Sequence, residues 1–198
     1  MSKNIDLTIL QINDTHGYFE LHNELFWFSD KAVYKKAGGY ARIATLFKQI
    51  KNERNGKVIV LDNGDTIHGT FPAVNSKGEA LVPILNELAI DAMTAHWEFA
   101  YGPDNFRSIV NKLNFPMLAI NCYNKISGKL VFPPFHIIEV GGLKVGIIGI
   151  AATIVDKTMP RHFSKGIRFT LGNNELPDYI KKIRENEKVD LIIVLFLA

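Results

Sequence analysis

Short apolar runs alternate with amphipathic stretches along almost the whole chain. The segment IDLTILQI predicts a first strand, KVIVLD a buried strand and VDLIIVLFLA a final apolar strand. Between the first two strands, Ile43, Leu46, Phe47 and Ile50 recur at helical spacing, and Gly56 is a helix stop signal. The polar and aromatic residues that separate the first strand from this helix predict a long loop.

The same alternation continues to the end of the chain. Three further helices are predicted from apolar residues at helical spacing: Leu81, Ile84, Leu85 and Leu88; Phe106, Ile109, Val110 and Leu113; and Leu176, Tyr179, Ile180 and Ile183. IDAMT and MLAI predict short strands, and Gly141-Gly142 predicts a hairpin. Strand–helix alternation with a late hairpin indicates a layered α/β domain with a mixed sheet. Because the chain ends on a buried strand, we expect it to be truncated at its carboxy end.

Composition narrows the functional classes. With 198 residues, 47% of them hydrophobic, the chain can bury one full core. Its 23 basic and 20 acidic residues nearly cancel and form no long block of like charge, so we expect no nucleic-acid partner. Cys122 is the only cysteine, so a metal would be held by oxygen and nitrogen ligands.

No apolar run in the sequence is long enough to span a bilayer, and the first residues lack the apolar stretch of a signal peptide. We therefore expect no membrane partner and, for the chain as given, a cytoplasmic location.

Acid and imidazole side chains follow one predicted strand after another. In chain order they are Asp14 and His16, Asp65 and His68, His96 and Glu98, and then Asn121. Ligands of open α/β sheets bind outside the carboxyl ends of the strands, where core packing alone would favour apolar residues. The pattern therefore indicates a cation site at one edge of the sheet.

Each of these residues also has a simpler interpretation. Asp14 and His16 before a glycine are common in turns, and Gly64-Asp65 is compatible with an Asx-turn. His96 on its own is compatible with a packed core histidine. His68 lies near Asp65, in a loop or at a helix start, and its role stays open.

Six segments together resemble the amino-terminal catalytic domain of the 5′-nucleotidase branch of the metallophosphoesterases: LTILQINDTHGYFE, GGYARIATLFKQIK, VLDNGDTIHGT, DAMTAHWEFAYG, FPMLAIN and LKVGIIGI. The resemblance runs from about Ile5 to the end of the chain. It implies a four-layer α/β/β/α sandwich with a two-metal site, followed by a carboxy-terminal domain that binds the nucleoside. Residues 1–198 would then be the amino-terminal part of the catalytic domain, with the nucleoside-binding domain absent.

The resemblance also implies roles for individual residues. Asp14 and His16 match ligands of the first metal, and Asp65 matches the carboxylate that bridges both metals. Asn121 matches a residue that is structural or lines the substrate pocket. Arg42 is expected to support the site from behind the ligands or to pack the helix.

The stretch AHWEFA departs from the family pattern. Trp97 stands where the family has its catalytic histidine, and Ala100 stands where it has the aspartate that orients this histidine. The variant is similar to the motif of the thiosulfohydrolases of bacterial sulfur oxidation, relatives with a dimanganese site. His96 takes the place of an asparagine ligand, so we expect it to bind metal; the rival interpretation makes it the general acid. Glu98 is a candidate proton donor to the leaving group.

The expected function of the parent protein is therefore metal-dependent hydrolysis of nucleotide phosphoesters, by a hydroxide generated on two divalent cations. Manganese, zinc and iron suit the ligands equally. Because the family's remaining histidine ligands follow the last strand, and VLFLA contains none, this chain would bind one metal or none by itself. Two alternatives stay open: hydrolysis of another bond, such as a cyclic phosphodiester or a thiosulfonate, and a non-catalytic fragment or binding module. Relatives are often periplasmic or at the cell surface.

Overall fold

The computed structural model describes residues 5–197, which fold into strands, helices and connecting turns. The strands are β1 (Thr8–Ile12), β2 (His22–Phe28), β3 (Lys31–Ala37), β4 (Val58–Asp62), β5 (Ala92–Met93), β6 (Cys122–Asn124), β7 (Phe135–Val140), β8 (Leu143–Ile150), β9 (Ile167–Phe169) and β10 (Leu191–Phe196). The helices are α1 (Tyr40–Glu53), α2 (Phe71–Asn75), α3 (Val82–Glu87), α4 (Pro103–Val110) and α5 (Glu175–Lys182).

Two three-stranded sheets form the centre of the molecule. The first has the order β1-β4-β5 and is parallel throughout, with Thr8 opposite Val58. The second has the order β10-β8-β7, in which β8 runs parallel to β10, with Val145 opposite Leu191, and antiparallel to β7. The second sheet is the predicted mixed sheet, and the predicted hairpin at Gly141-Gly142 joins two of its strands.

The two sheets pack against each other through alternate apolar side chains. Ile59 and Leu61 of β4 point into the same cluster as Val145 and Ile147 of β8, to which β10 adds Leu195. In a strand, successive side chains point to opposite faces, so the remaining residues of these strands face outward.

Helices cover both outer faces of the sheets. Val58 and Val60 pack in one cluster with Tyr40 and Phe47 of α1. On the other side, Ile148 packs in a cluster to which α5 contributes partly buried apolar side chains. The layers are therefore α/β/β/α, as expected. No helix among residues 5–197 is both long and apolar enough to cross a bilayer.

The predicted loop after β1 is wrong for residues 22–37, which form the antiparallel hairpin β2–β3. Its two-residue turn has Ser29 at φ 46° and Asp30 at φ 63°, the left-handed pair of a type I′ turn. The sequence lacks the Asn-Gly or Asp-Gly pair that usually marks this turn. Trp27 and Tyr34 are about 70% exposed, so little burial supports the strands and the pattern of polar and aromatic residues resembles a loop.

The segment MLAI forms a connection between the sheets rather than a regular strand. The amide of Leu118 donates to the carbonyl of Met93 in the first sheet, at 2.8 Å, and the amide of Ile120 donates to that of Gly149 in the second, at 2.8 Å. Its four residues are fully buried. Residues 117–120 therefore join the two sheets.

Candidate metal centre

The centre lies where β1 and β4 end side by side, with Ile12 opposite Asp62. The loops that follow these strands are joined by backbone hydrogen bonds. The amide of Asp14 donates to the carbonyl of Gly64, and that of His16 to the carbonyl of Asp65, each at 3.0 Å. Two segments some 50 residues apart are thereby held in fixed register.

Three of the expected ligands have left-handed backbone conformations. The φ angles are 52° at Asp14, 47° at His16 and 60° at Asp65. For residues other than glycine this conformation costs about 1–2 kcal/mol each. Strained residues of this kind cluster at functional sites, where the surrounding structure holds them in place.

Two glycines allow the loops to approach each other closely. A Cβ atom at Gly64 would lie 2.9 Å from the backbone nitrogen of His96, and one at Gly69 would lie 2.5 Å from the carbonyl oxygen of His16. Both glycines also have positive φ angles. A larger residue at either position would push apart the segments that carry the imidazoles.

The carboxylate of Asp65 lies at the centre of the donor groups. Its Oδ2 is 3.1 Å from Nδ1 of His96 and 3.7 Å from Nε2 of His16, and this Nε2 is 3.7 Å from Oδ1 of Asp14. Its other oxygen, Oδ1, contacts Nε2 of His68. The structure thus brings together the four residues expected to bind metal, and adds His68.

These donors fit a divalent cation. Nδ1 of His96 is buried and has no hydrogen-bond partner among the described residues, although it lies close to the Asp65 carboxylate. One donor atom each from His16, Asp65 and His68 lie within 4.8 Å of one another. Mixed imidazole and carboxylate donors suit manganese, zinc and iron. His16, Asp65, His68 and His96, with Asp14 at the rim, would therefore hold the metal.

The role of His68 was left open by the sequence. The residue lies three positions after Asp65 in a loop bounded by glycines, a signal compatible with either a turn or a ligand. The sequence does not reveal that Asp65 has a left-handed backbone conformation. In the structure the loop that follows Asp65 brings His68 back into contact with the Asp65 carboxylate.

Electrostatics in the centre favour an ionised Asp65. Burial alone would raise the pKa of Asp65, but the nearby imidazoles of His68 and His96 outweigh it and hold this pKa well below its usual range. Burial alone would lower the pKa of His96, but the Asp65 carboxylate outweighs it and raises this pKa.

A buried hydrogen-bond network lies beneath the ligand loops. The hydroxyl of Tyr40 lies 2.7 Å from that of Thr15, which lies 3.2 Å from that of Thr66, and Thr66 donates to Oδ1 of Asp62 at 2.9 Å. Burial raises the pKa of Asp62 to about 7, against the lowering effect of a hydrogen bond from the amide of Gly64. The network links α1 to both loops of the centre.

Trp97 lies against the imidazoles of the centre. Its ring stacks on that of His68, with centroids 5.8 Å apart, and lies parallel to that of His96 at 6.2 Å. The side chain is 37% exposed. It therefore forms a wall of the centre that is open to solvent on one side.

Glu98 is placed differently from a proton donor. It is fully buried, and its Oε1 accepts a hydrogen bond from the amide of Thr66 at 2.7 Å. Its Oε2 accepts one from the amide of His96 at 2.6 Å. Because both oxygens are bound to backbone amides, Glu98 positions the ligand loops, which corrects the expectation that it serves the leaving group.

Asn121 and Arg42 make their contacts outside the group of donor side chains. Asn121 is fully buried; its Nδ2 donates to the carbonyls of Ala151 and Thr170, and its Oδ1 accepts from the amide of Ala151. Its polar atoms join backbone segments, which fits the structural one of the two roles that the resemblance implies for it. Arg42 is exposed on α1, where it lines a cavity of about 500 Å³ with Phe26 of the hairpin, rather than lying behind the ligands.

Comparisons with known proteins agree with this geometry. The profile of the calcineurin-like phosphoesterase family matches residues 7–111, which include all five donor residues. The chain is 31% identical over 201 aligned positions to a 5′-nucleotidase of Vibrio cholerae, covering 98% of this chain and 34% of that protein. It is 32% identical to an apyrase of Tabanus yao, and the alignment covers 96% of this chain and 34% of that protein.

Solved structures show the same fold. The sulfate thiohydrolase SoxB of Thermus thermophilus superposes with a TM-score of 0.86 at 21% identity, covering 99% of this chain and 44% of that one. A 5′-nucleotidase precursor from Thermus thermophilus superposes with a TM-score of 0.82 at 25% identity, and the superposition covers 96% of this chain and 36% of that one. The chain thus spans about a third of the length of the curated relatives it matches.

Proposed function

Because this chain belongs to the calcineurin-like phosphoesterase family, whose members use a dinuclear metal site, we propose that its parent protein hydrolyses the phosphoester bond of nucleotides at the centre around Asp65. The observation that carries the proposal is the convergence of His16 and His96 on that one carboxylate, with Asp14 next to His16. The names of the relatives, a 5′-nucleotidase and an apyrase, support a nucleotide as the substrate.

The residues of this chain would act by holding the cations and by keeping the loops that bind them in position. The cations would be bound by His16, Asp65, His68 and His96, with Asp14 at the rim. Glu98 and Gly64 keep the loops of these residues in register. Divalent cations bound there would lower the pKa of a coordinated water to about 7 and neutralise charge on the phosphoryl group. Trp97 would bound the side of the pocket beside His68 and His96.

Leaving-group protonation is expected to be weak. Trp97 and Ala100 occupy the positions at which the resemblance predicts a histidine–aspartate pair, and Glu98 faces backbone amides. General acid help is worth about 10²–10⁴-fold. Substrates with a good leaving group, such as p-nitrophenyl phosphates, should therefore react faster than nucleoside monophosphates.

The test is an assay of the parent protein with nucleoside 5′-monophosphates, p-nitrophenyl phosphate and an S-sulfonate, each with and without Mn²⁺. We expect metal-dependent phosphate release from the two phosphoesters, lost in Asp65→Asn and retained in Asp178→Asn, which changes a carboxylate on α5. Cleavage of the S-sulfonate alone would overturn the substrate assignment. No hydrolysis at any metal concentration would overturn the proposal as a whole.

A further inference from the structure

The hairpin β2–β3 pairs with neither central sheet and is rich in exposed aromatic side chains. Among the described strands, β2 and β3 pair only with each other. Three consecutive exposed aromatic residues, Phe26, Trp27 and Phe28, precede its turn, and Trp27 is 70% exposed. Tyr34, on the returning strand, is 71% exposed. Exposed apolar side chains that cluster in this way mark an interaction surface.

The aromatic residues lie on both faces of the hairpin. Because successive side chains of a strand point to opposite faces, Trp27 lies on one face and Phe26 and Phe28 lie on the other. Leu25 pairs with Tyr34 across the strands, so Tyr34 shares the face of Trp27. The rings of Phe26 and Phe28 have centroids 6.1 Å apart. The end of the hairpin is therefore apolar on both faces, and an apolar layer surrounding it would bury both.

The hairpin also carries positive charge without matching carboxylates. Lys31, Lys35 and Lys36 all lie on β3 and are exposed. Glu24 stands opposite Lys35 but contacts His22 instead, at 3.1 Å. Among residues 5–197, the lysines that form ion pairs are three others, outside the hairpin: Lys112, Lys144 and Lys157. The charge of the three β3 lysines is therefore available to an anionic partner.

A cavity beside the hairpin combines the same two properties. It lies between the hairpin and α1, has a volume of about 500 Å³, and its lining includes three apolar and three cationic side chains: Phe26, Ile43, Leu46, Lys35, Lys36 and Arg42. No carboxylate is part of its described lining. An apolar lining with cations and no acid fits a phospholipid, because its phosphate is anionic and its acyl chains are apolar.

We propose that the hairpin β2–β3 docks on bilayers that contain anionic phospholipids. Tryptophan and tyrosine side chains favour the boundary between water and the bilayer, because each has an apolar body and a polar tip. Lysines near an anionic lipid surface add electrostatic attraction. The expectation of no membrane partner rested on the lack of a run long enough to span a bilayer, and docking at the surface needs no such run. The inference is independent of the metal centre and of the proposed function.

The test is sedimentation of this chain, and of its parent protein, with two kinds of vesicle. One kind is an equal mixture of phosphatidylcholine and phosphatidylserine, and the other is phosphatidylcholine alone. We expect both proteins to bind the mixed vesicles, to bind the neutral vesicles far more weakly, and to be released by high salt, which screens the lysines. Absence of binding to the mixed vesicles, or equal binding to both kinds, would overturn the inference.

Hairpin variants separate the apolar from the electrostatic contribution. Trp27→Ala should weaken binding to the mixed vesicles by at least about tenfold, because a large apolar side chain is no longer buried. Lys35→Glu combined with Lys36→Glu should weaken it by at least about 30-fold, since each basic residue at such a surface contributes roughly fivefold.

Matched controls change an exposed aromatic residue and two exposed lysines outside the hairpin: Phe71→Ala, and Lys125→Glu combined with Lys129→Glu. Both controls should bind the mixed vesicles as the unchanged chain does. Losses in the controls as large as those in the hairpin variants would contradict docking through the hairpin.

Two other occupants compete for the same surface, and these measurements distinguish them. If two copies of the chain associated through the hairpin, Trp27→Ala would convert a dimer into a monomer in light scattering without changing vesicle binding. If the rest of the parent polypeptide covered the hairpin, this chain would bind the mixed vesicles and the parent protein would not. Either result would refute the proposal, whereas binding by both proteins that is lost in the hairpin variants would support it.

Discussion

At the scale of single residues, one buried carboxylate holds the ligand loops together. Glu98 lies in the first turn after His96 and reaches the amide of Thr66, which follows Asp65 directly. A buried amide left without an acceptor costs about 1–3 kcal/mol. Glu98 thus keeps two candidate ligands, Asp65 and His96, from different parts of the chain at a fixed separation.

Replacing Glu98 by alanine should therefore weaken both folding and metal binding. We expect Glu98→Ala to lower the free energy of unfolding by about 1–3 kcal/mol for each of the two amides left unpaired, and Glu98→Gln, which keeps one acceptor oxygen, to have a smaller effect. Urea denaturation measures this. The control Glu139→Ala, on an exposed position of β7, should stay within about 0.5 kcal/mol of the unchanged chain. If Glu98→Ala behaved like the control, the positioning role would be wrong.

The convergence of four candidate ligands was predictable from the sequence because each follows an apolar strand, and parallel strands end at the same edge. Asp14, His16, Asp65 and His96 meet for this reason. The roles of Glu98 and Asn121 were not predictable, because the same side chain can face solvent or backbone amides. Burial of the side chain decides between these two orientations, and the spacing of residues in the sequence does not show whether a polar side chain is buried.

At the scale of elements, the hairpin β2–β3 is the part of the fold with the least support. Its strands pair with each other, while Trp27 and Tyr34 remain largely exposed. Ser29 and Asp30 form the turn in left-handed conformations that glycine and asparagine adopt more easily. We therefore expect its stability to depend mainly on the turn and on pairs across the two strands.

Exchanging Ser29-Asp30 for Asn-Gly should stabilise the hairpin. The type I′ turn would be retained, and the free energy of local opening should rise by about 1 kcal/mol because the strain at Asp30 is removed. Hydrogen exchange of the amides of β2 and β3 measures this opening directly. Asp30→Pro provides the opposite change, since proline fixes φ near −65° and should abolish protection. Equal exchange in all three proteins would show that the turn does not control the hairpin.

Element prediction succeeded where burial and sequence pattern agree. The strands β4 and β8 are apolar runs inside the sandwich, β10 contributes the buried Leu195, and α1 carries one apolar face against the sheet. It failed at residues 22–37 and at MLAI. Residues 22–37 form a hairpin with an exposed face, so they lack the alternation of buried and exposed residues that predicts a strand. The segment MLAI is buried but donates hydrogen bonds to two sheets, so it does not pair along one strand.

At the scale of the whole molecule, residues 117–120 join the sheets at a point where Gly149 leaves no spare room. A Cβ atom at Gly149 would lie 2.2 Å from the carbonyl oxygen of Leu118. This carbonyl belongs to backbone, which cannot move aside without disturbing the hydrogen bonds on both sides. The close approach of the two layers therefore requires glycine here.

Gly149→Ala should destabilise the protein by at least about 1–3 kcal/mol, the usual cost of overpacking. Gly146, on the same strand, provides the matched control. A Cβ atom there would lie 2.8 Å from Cδ1 of Ile183, the end of a flexible side chain that can rotate away. We expect Gly146→Ala to cost less than about 1 kcal/mol. Thermal unfolding measures the loss of stability in both variants. Equal losses would contradict the steric constraint between Gly149 and the carbonyl of Leu118.

The parallel pairing of β10 with β8 has a consequence for synthesis of the protein. Leu191 pairs with Val145 and Phe196 with Ile150, so a growing polypeptide lacks the β10 partner of β8 until the residues near 196 have left the ribosome. Pairings between distant segments form slowly and leave apolar edges exposed meanwhile. The nascent chain should therefore carry an uncovered β8 edge while residues 151–196 are synthesised, which makes this edge the natural contact for a chaperone.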